Sequence, residues 1–93
     1  MALYVWEDKK NQKLKRERNV GFEAVVTAIQ EGDVVDDYPH PNRKKYAHQR
    51  LMVVIIDAYA YLVPYIDKRG TLVLKTVIPS RKATKRYIKK GGV

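Results

Sequence analysis

The 93-residue sequence has no cysteine, so it can form neither a disulfide nor a thiolate metal site. It also lacks the HExxH zinc motif, a glycine-rich phosphate loop and the GxSxG nucleophile motif. The longest apolar run, Leu51 to Ile56, is too short to span a bilayer, and the stretch from Met1 to Trp6 lacks the pattern of a secretory signal. We therefore expect a cytoplasmic protein that uses no metal ion and no cofactor.

Acidic residues are missing from the last quarter of the chain. Residues 1–67 contain ten basic and ten acidic residues, whereas residues 68–93 contain nine basic residues and no acidic one. The whole formal net charge of +9 therefore belongs to the C-terminal segment. Positive charge concentrated in one segment attracts polyanions and speeds their encounter with the protein, which favours nucleic acid or another acidic molecule as the partner. A solvated basic tail that only aids solubility is the alternative.

The length and the close succession of structural signals predict a single domain over residues 1–93. In its first third we expect a short strand from Leu3 to Trp6 and a helix from Lys9 to Asn19 that Asp8 caps. A second helix from Phe22 to Glu31 carries apolar residues at i, i+3, i+4 and i+7. Gly32 then supplies the left-handed residue that often follows a helix.

The remaining signals predict an antiparallel meander and a final helix. Asp33 to Tyr38 reads as a strand or extended segment, and the prolines of the following Pro39 to Asn42 predict a loop. The tight turn Asp57-Ala58 and the turn Asp67 to Gly70 separate three expected strands, which are Gln49 to Ile56, Tyr59 to Ile66 and Thr71 to Ile78.

Two further expectations concern proline and the C-terminus. Pro64 should move its strand toward a sheet edge or a bulge, because proline lacks a backbone donor. Ser80 should cap a basic helix from Arg81 to Lys90, which Gly91-Gly92 ends. The expected fold is α+β, with a short N-terminal strand and a helical hairpin packed on an antiparallel sheet, and a C-terminal basic helix.

Both ends of the chain resemble one family. Residues 5–11, followed by Leu14, Val20, Phe22-Glu23 and Val25-Val26, are similar to the opening of BrnT-type toxins, which reads W-D-x-x-K-x before a first helix and V-x-F-E-E-A in a second. Residues 78–87 are similar to the family's I-I-S-A-R-K-A-T-K-R ending. The chain departs from this ending at two places. Pro79-Ser80 stands where the family has Ser-Ala. The family also has an arginine five positions before the one that matches Arg81, and this sequence has Thr76 there, preceded by Lys75.

Several properties follow from the resemblance alone. It implies a RelE-like fold, a metal-independent ribonuclease activity that stops translation, and an antitoxin partner of a type II system. Such antitoxins usually carry a ribbon-helix-helix module, so operator DNA would be bound only through the antitoxin. The RNA substrate and the antitoxin are therefore the expected partners. The short apolar runs, and not the resemblance, predict that no membrane is involved.

Metal-free RNA cleavage needs a base, an acid and cations that stabilise a charged phosphorane. We expect Arg81 to be the main catalytic cation and phosphate ligand, because it lies in the matched motif at a strand-to-helix junction and its fork suits phosphate. The other expected phosphate ligands are Lys82, Lys85, Arg86 and Arg50. The alternatives are a solvated basic helix, or contacts from that helix to an acidic antitoxin segment.

His48 is the candidate general base by residue type, and Lys75 is a third catalytic candidate because it is a charge in an apolar strand. An idle surface histidine and a solvated lysine are the alternatives. His40, between two prolines, is expected to be a loop residue.

Other side chains stay ambiguous. The stripe of Tyr59, Tyr61 and Tyr65 could stack bases or pack on a helix or partner, and packing is favoured. Asp36-Asp37 is expected to be a solvated strand end and not a metal site. At the level of function, a non-catalytic module that binds nucleic acid or an antitoxin competes with the ribonuclease.

Overall fold

The computed structural model describes residues 3–88, which form three helices and six strands. In chain order the elements are β1 (Leu3–Val5), α1 (Asp8–Arg18), α2 (Phe22–Gln30), β2 (Val34–Pro39), β3 (Arg50–Ile56), β4 (Tyr59–Lys68), β5 (Thr71–Leu74), β6 (Ile78–Pro79) and α3 (Arg81–Tyr87). The fold is α+β, as the sequence predicts. None of the helices within residues 3–88 is long and apolar enough to cross a membrane.

The sheet is mixed and has the strand order β1-β5-β4-β3-β2, with β6 paired to β4 beyond the end of β5. Strands β3, β4 and β5 form the predicted antiparallel meander. The expectation of a wholly antiparallel sheet is wrong at β1, which pairs in parallel with β5. A parallel pair needs a long crossover between its strands, and here the helical hairpin and β2 to β4 provide it.

Pro64 lies inside the central strand β4, so the expectation of a sheet edge is wrong. The alternative of a bulge agrees with the pairing, because three steps along β4 from Leu62 to Tyr65 face four steps from Leu74 to Ile78 on the other side. Leu51 of β3 pairs with it on one side, and on the other side its carbonyl accepts a hydrogen bond of 2.9 Å from the Lys75 N–H. The N and C=O of a strand residue face the same neighbour. The missing donor of Pro64 therefore faces Lys75, so this pair has one hydrogen bond instead of two, at the break between β5 and β6. The expected single strand from Thr71 to Ile78 is interrupted opposite Pro64 and forms two strands, β5 and β6.

Strand β2 is an edge strand and extends to Pro39, one residue into the expected loop. Proline is tolerated there because an edge strand has one unpaired side. The register of β2 against β3 shifts between Val34 and Asp36, which marks a bulge. Gly32, which precedes the strand, has the expected left-handed backbone with φ of 82°.

A buried polar residue joins the first two helices. Asp8 is the first residue of α1, and Glu7 occupies the cap position without a side-chain cap bond, so the expected Asp8 cap is wrong. The start of α2 is instead capped from α1, because the Oδ1 of Asn11 accepts a hydrogen bond of 2.8 Å from the Phe22 N–H. The Asn11 amide also donates to both carboxylate oxygens of Glu23.

The two faces of the sheet carry separate apolar clusters. The larger cluster packs α1 and α2 on the sheet and includes Phe22, Val54, Val63 and Tyr65. The smaller cluster packs α3 on the other face and contains Val53, Ala60 and Ala83, with Tyr38, Ile55, Leu62 and Tyr87 partly buried against it. Tyr61 and Tyr65 of the predicted tyrosine stripe share one face of β4 with Val63 and join the larger cluster, while Ala60 and Leu62 on the other face join the smaller one.

Helix α3 begins as predicted and is shorter than predicted. The Ser80 hydroxyl accepts a hydrogen bond of 3.0 Å from the Ala83 N–H, which confirms the cap. The helix ends at Tyr87, because Ile88 has an extended backbone with φ of −114° and ψ of 90°. The expected continuation to Lys90 and the Gly91-Gly92 terminator lie outside the described residues.

Candidate nucleic-acid interface

Helix α3 exposes a surface of four basic side chains, Arg81, Lys82, Lys85 and Arg86, called here the α3 basic surface. Ala83 and Tyr87, which are four residues apart, face the sheet and hold the helix in place. Thr84 adds a polar anchor, because its Oγ1 accepts a hydrogen bond of 2.9 Å from the Ala60 N–H of β4. Within residues 3–88 no salt bridge engages any of the four basic side chains. All four side chains are exposed, and Arg86 in addition lies over the Tyr87 ring, with its guanidinium carbon 5.5 Å from the ring centroid.

An open groove of about 380 Å³, called here the α3 groove, lies between α3 and the edge strand β2. Its lining residues come from both elements and from the sheet between them: Asp36, Tyr38, Val53, Leu62, Ser80, Lys82, Ala83, Arg86 and Tyr87. Apolar side chains thus lie beside two cationic ones, a combination that suits a ligand with a flat apolar part and a negative charge.

Asp36 is the one carboxylate among the groove's lining residues. The Tyr87 hydroxyl donates a hydrogen bond to its Oδ2, and the Asp37 N–H donates one of 2.8 Å to its Oδ1. The bond from Tyr87, the bond from Asp37 and the charge of Arg86 keep the pKa of Asp36 below its ordinary value. The same bond to Asp36 raises the pKa of Tyr87. Asp36 is therefore an ionised, fixed acceptor in the groove.

The neighbouring Asp37 faces the opposite side of the sheet. There its Oδ1 accepts a hydrogen bond of 3.0 Å from the Arg50 Nε, and its Oδ2 accepts one of 2.6 Å from the Tyr65 hydroxyl. Arg50 therefore lies on the other face from α3 and already has a carboxylate partner, so the structure does not bring it together with the α3 basic surface. Burial, with the bond to Asp37, raises the pKa of Tyr65 to about 12.

The structure does not bring His48 close to Arg81. The Ser80 N–H, next to Arg81, donates to the Ala60 carbonyl, and Ala60 pairs with Ile55 near the end of β3. His48 is exposed and precedes the start of the same strand. At about 3.3 Å per residue, the two positions are on the order of 20 Å apart along β3.

Lys75 lies just after β5 and lines a different groove, together with Glu7 and Lys10. It is also not part of the α3 groove. His40, expected as a loop residue, packs its ring on Tyr46 at a centroid distance of 4.4 Å, and its Nδ1 accepts a hydrogen bond from the Asn42 N–H. These contacts order the loop before β3.

The tyrosine stripe of β4 packs inside the protein. Tyr65 is buried in the larger cluster, Tyr61 packs against that cluster, and Tyr59 meets Tyr61 edge to face at 5.7 Å. The aromatic residues that line the groove are instead Tyr38 and Tyr87, to which the sequence reasoning assigned no binding role. A signal existed, because Asp36 and Tyr38 share one face of a strand and Tyr87 follows Ala83 by one helical turn.

No group of three or more histidine or acidic side chains within residues 3–88 could hold a metal ion. Asp36 and Asp37 point to opposite faces of the sheet and each serves a tyrosine. They are therefore hydrogen-bond acceptors that fix side chains on both faces.

Comparisons of the chain with protein-family models, with curated proteins and with solved structures find no significant match. The family remains a resemblance carried by the two end motifs.

Proposed function

We propose that this chain is a cytoplasmic, RelE-like toxin of a type II toxin–antitoxin system that binds RNA through the α3 basic surface and cleaves it without a metal ion. The supporting observation is that a firmly anchored helix exposes four basic side chains, two of which, Lys82 and Arg86, line a groove with apolar walls. The similarity of residues 78–87 to the BrnT ending gives the same segment its proposed role.

In this proposal the cations act on the phosphodiester. Arg81 contacts the scissile phosphate bidentately and stabilises the charge that develops on it, and Lys82 and Arg86 hold the flanking strand. Lys85 adds a non-specific phosphate contact. Asp36 and Tyr87 line the groove together with Lys82 and Arg86 and are the proposed proton-transfer groups, whereas Lys75 lines a different groove.

A second function, a non-catalytic module on the same fold, is favoured by one observation. The residues expected to be catalytic do not converge on one site: Arg81 begins α3 near the end of β3, His48 precedes the start of β3, and Lys75 follows β5. In that case the α3 basic surface binds nucleic acid or an acidic segment of the antitoxin. In both proposals the antitoxin is the protein partner, and operator DNA is contacted only through its ribbon-helix-helix module.

The test is tightly induced expression of the chain and two variants, with growth and RNA integrity measured together. Arg81→Ala removes the proposed catalytic cation. Arg16→Ala is the matched control, because Arg16 is an exposed arginine of α1 on the other side of the sheet.

We expect growth arrest with RNA fragmentation for the native chain and for Arg16→Ala, and relief of both by Arg81→Ala. Growth without arrest and with intact RNA would contradict the ribonuclease and leave the binding module. Fragmentation that persists in Arg81→Ala would contradict the proposed site.

A further inference from the structure

The α3 groove combines three features that a phosphate-binding surface alone does not need. Val53, Leu62 and Ala83 give it apolar walls, Tyr38 and Tyr87 contribute aromatic rings, and Asp36 places an ionised carboxylate at one side. A carboxylate repels phosphate, so Asp36, which fixes the Tyr87 side chain, also gives this groove an acceptor that a surface for phosphate alone does not need. Single-stranded RNA is read by stacking bases on aromatic side chains and by hydrogen bonds to their Watson–Crick edges.

We propose that the α3 groove binds one guanine base of the RNA strand, with Asp36 as the residue that reads it. The inference rests on the proposed function and names the substrate feature that the same site selects. Lys82 and Arg86 line the groove together with Asp36, so they contact the phosphate attached to the bound base.

The chemistry of the four bases decides the choice. A carboxylate only accepts hydrogen bonds, and guanine presents two adjacent donors, N1–H and the N2 amino group, on its Watson–Crick edge. Adenine and cytosine each place an acceptor nitrogen beside their amino group, and uracil places a carbonyl on each side of N3–H. An ionised carboxylate opposite those acceptors is repelled, which is how an interface rejects a wrong partner.

Asp36 keeps the capacity for this contact. Each carboxylate oxygen offers two lone pairs. One pair of Oδ1 is used by the Asp37 N–H and one pair of Oδ2 by the Tyr87 hydroxyl, so each oxygen retains one for a ligand. Those two bonds also fix the orientation of the carboxylate before RNA arrives, which lowers the cost of binding.

The experiment measures the binding of the four nucleoside 5′-monophosphates to the intact chain at low salt by titration calorimetry and amide chemical shifts. Asp36→Asn replaces the acceptor pair by one acceptor and one donor. Asp37→Asn is the matched control, because it makes the same change one residue away on the opposite face of the sheet. Lys82→Ala tests the phosphate contact.

We expect the native chain to bind the guanine nucleotide roughly tenfold more tightly than the other three, as one bidentate base contact provides. Asp36→Asn should abolish this preference, Asp37→Asn should retain it, and Lys82→Ala should weaken all four nucleotides alike. Equal affinities in the native chain, no saturable binding at millimolar concentration, or a preference unchanged in Asp36→Asn would each overturn the inference.

The outcomes separate the inference from the proposed function. RNA fragmentation that depends on Arg81, together with no base preference, would refute guanine reading and leave the ribonuclease intact. A guanine preference in a chain that fragments no RNA would refute the ribonuclease and retain the reading of guanine by a binding module.

Discussion

Asp36 and Asp37 are adjacent in the chain and serve opposite faces of the sheet. Asp36 accepts from Tyr87 on the face that α3 covers, and Asp37 accepts from Tyr65 and Arg50 on the other face. Because successive strand residues alternate in direction, two consecutive carboxylates can fix two unrelated tyrosines. The pair therefore has a structural role on one face and lines the candidate site on the other.

The bond between Tyr65 and Asp37 predicts a loss of stability at alkaline pH. The pKa of Tyr65 is raised to about 12 in the folded protein, whereas an unfolded tyrosine ionises near pH 10. Between those values the unfolded state releases a proton that the folded state keeps, so the free energy of unfolding falls as pH rises from about 10 to 12. Below pH 10 the contribution is fully present.

Urea unfolding of the native chain and of Tyr65→Phe across this pH range measures the effect. The decline should be steeper in the native chain, because phenylalanine has no proton to release. Parallel declines in the two proteins would contradict this account of Tyr65.

At the scale of elements, Asn11 holds α1 against the start of α2. It is 1% exposed, and its side chain satisfies the Phe22 N–H and the Glu23 carboxylate. Asn11→Ala would leave the buried Phe22 N–H without a partner, so we expect the free energy of unfolding to fall by about 2 kcal/mol. Gln12→Ala, at the exposed neighbouring position, should change it by less than about 0.5 kcal/mol. Equal effects of the two substitutions in urea unfolding would disprove the role of Asn11.

The sequence predicts most elements because their signals are local. The apolar period of α2, the Ser80 cap and the alternation along β4 each depend on neighbouring residues, and each is present in the fold. The break between β5 and β6 depends on Pro64, which is in another strand, so no local pattern around Lys75 reports it. Asn11 similarly reads as an ordinary polar residue until α2 is placed beside it.

At the scale of the whole molecule, strand order decides which residues meet. Helix α3 packs on the sheet beside the edge strand β2, which brings Asp36 and Tyr38 to Lys82 and Arg86. The basic character of α3 and the place of Arg81 at its start could be predicted from the sequence. The separation of His48, Lys75 and Arg50 from α3 could not, because residue type suggests a role without fixing a distance.

The central claim, that α3 is the RNA-binding element, is tested most directly by the salt dependence of RNA affinity. The affinity of the purified chain for single-stranded RNA would be measured across a range of salt concentrations, together with Arg81→Ala, the double variant Arg81→Ala/Lys85→Ala and the control Arg16→Ala. For a single strand, each lost phosphate contact lowers the slope of log affinity against log salt by about 0.7.

The account predicts slopes reduced by about 0.7 in Arg81→Ala and about 1.4 in the double variant, with no change in Arg16→Ala. The same slope in all four proteins would contradict it, because the RNA would then be bound by a surface other than α3.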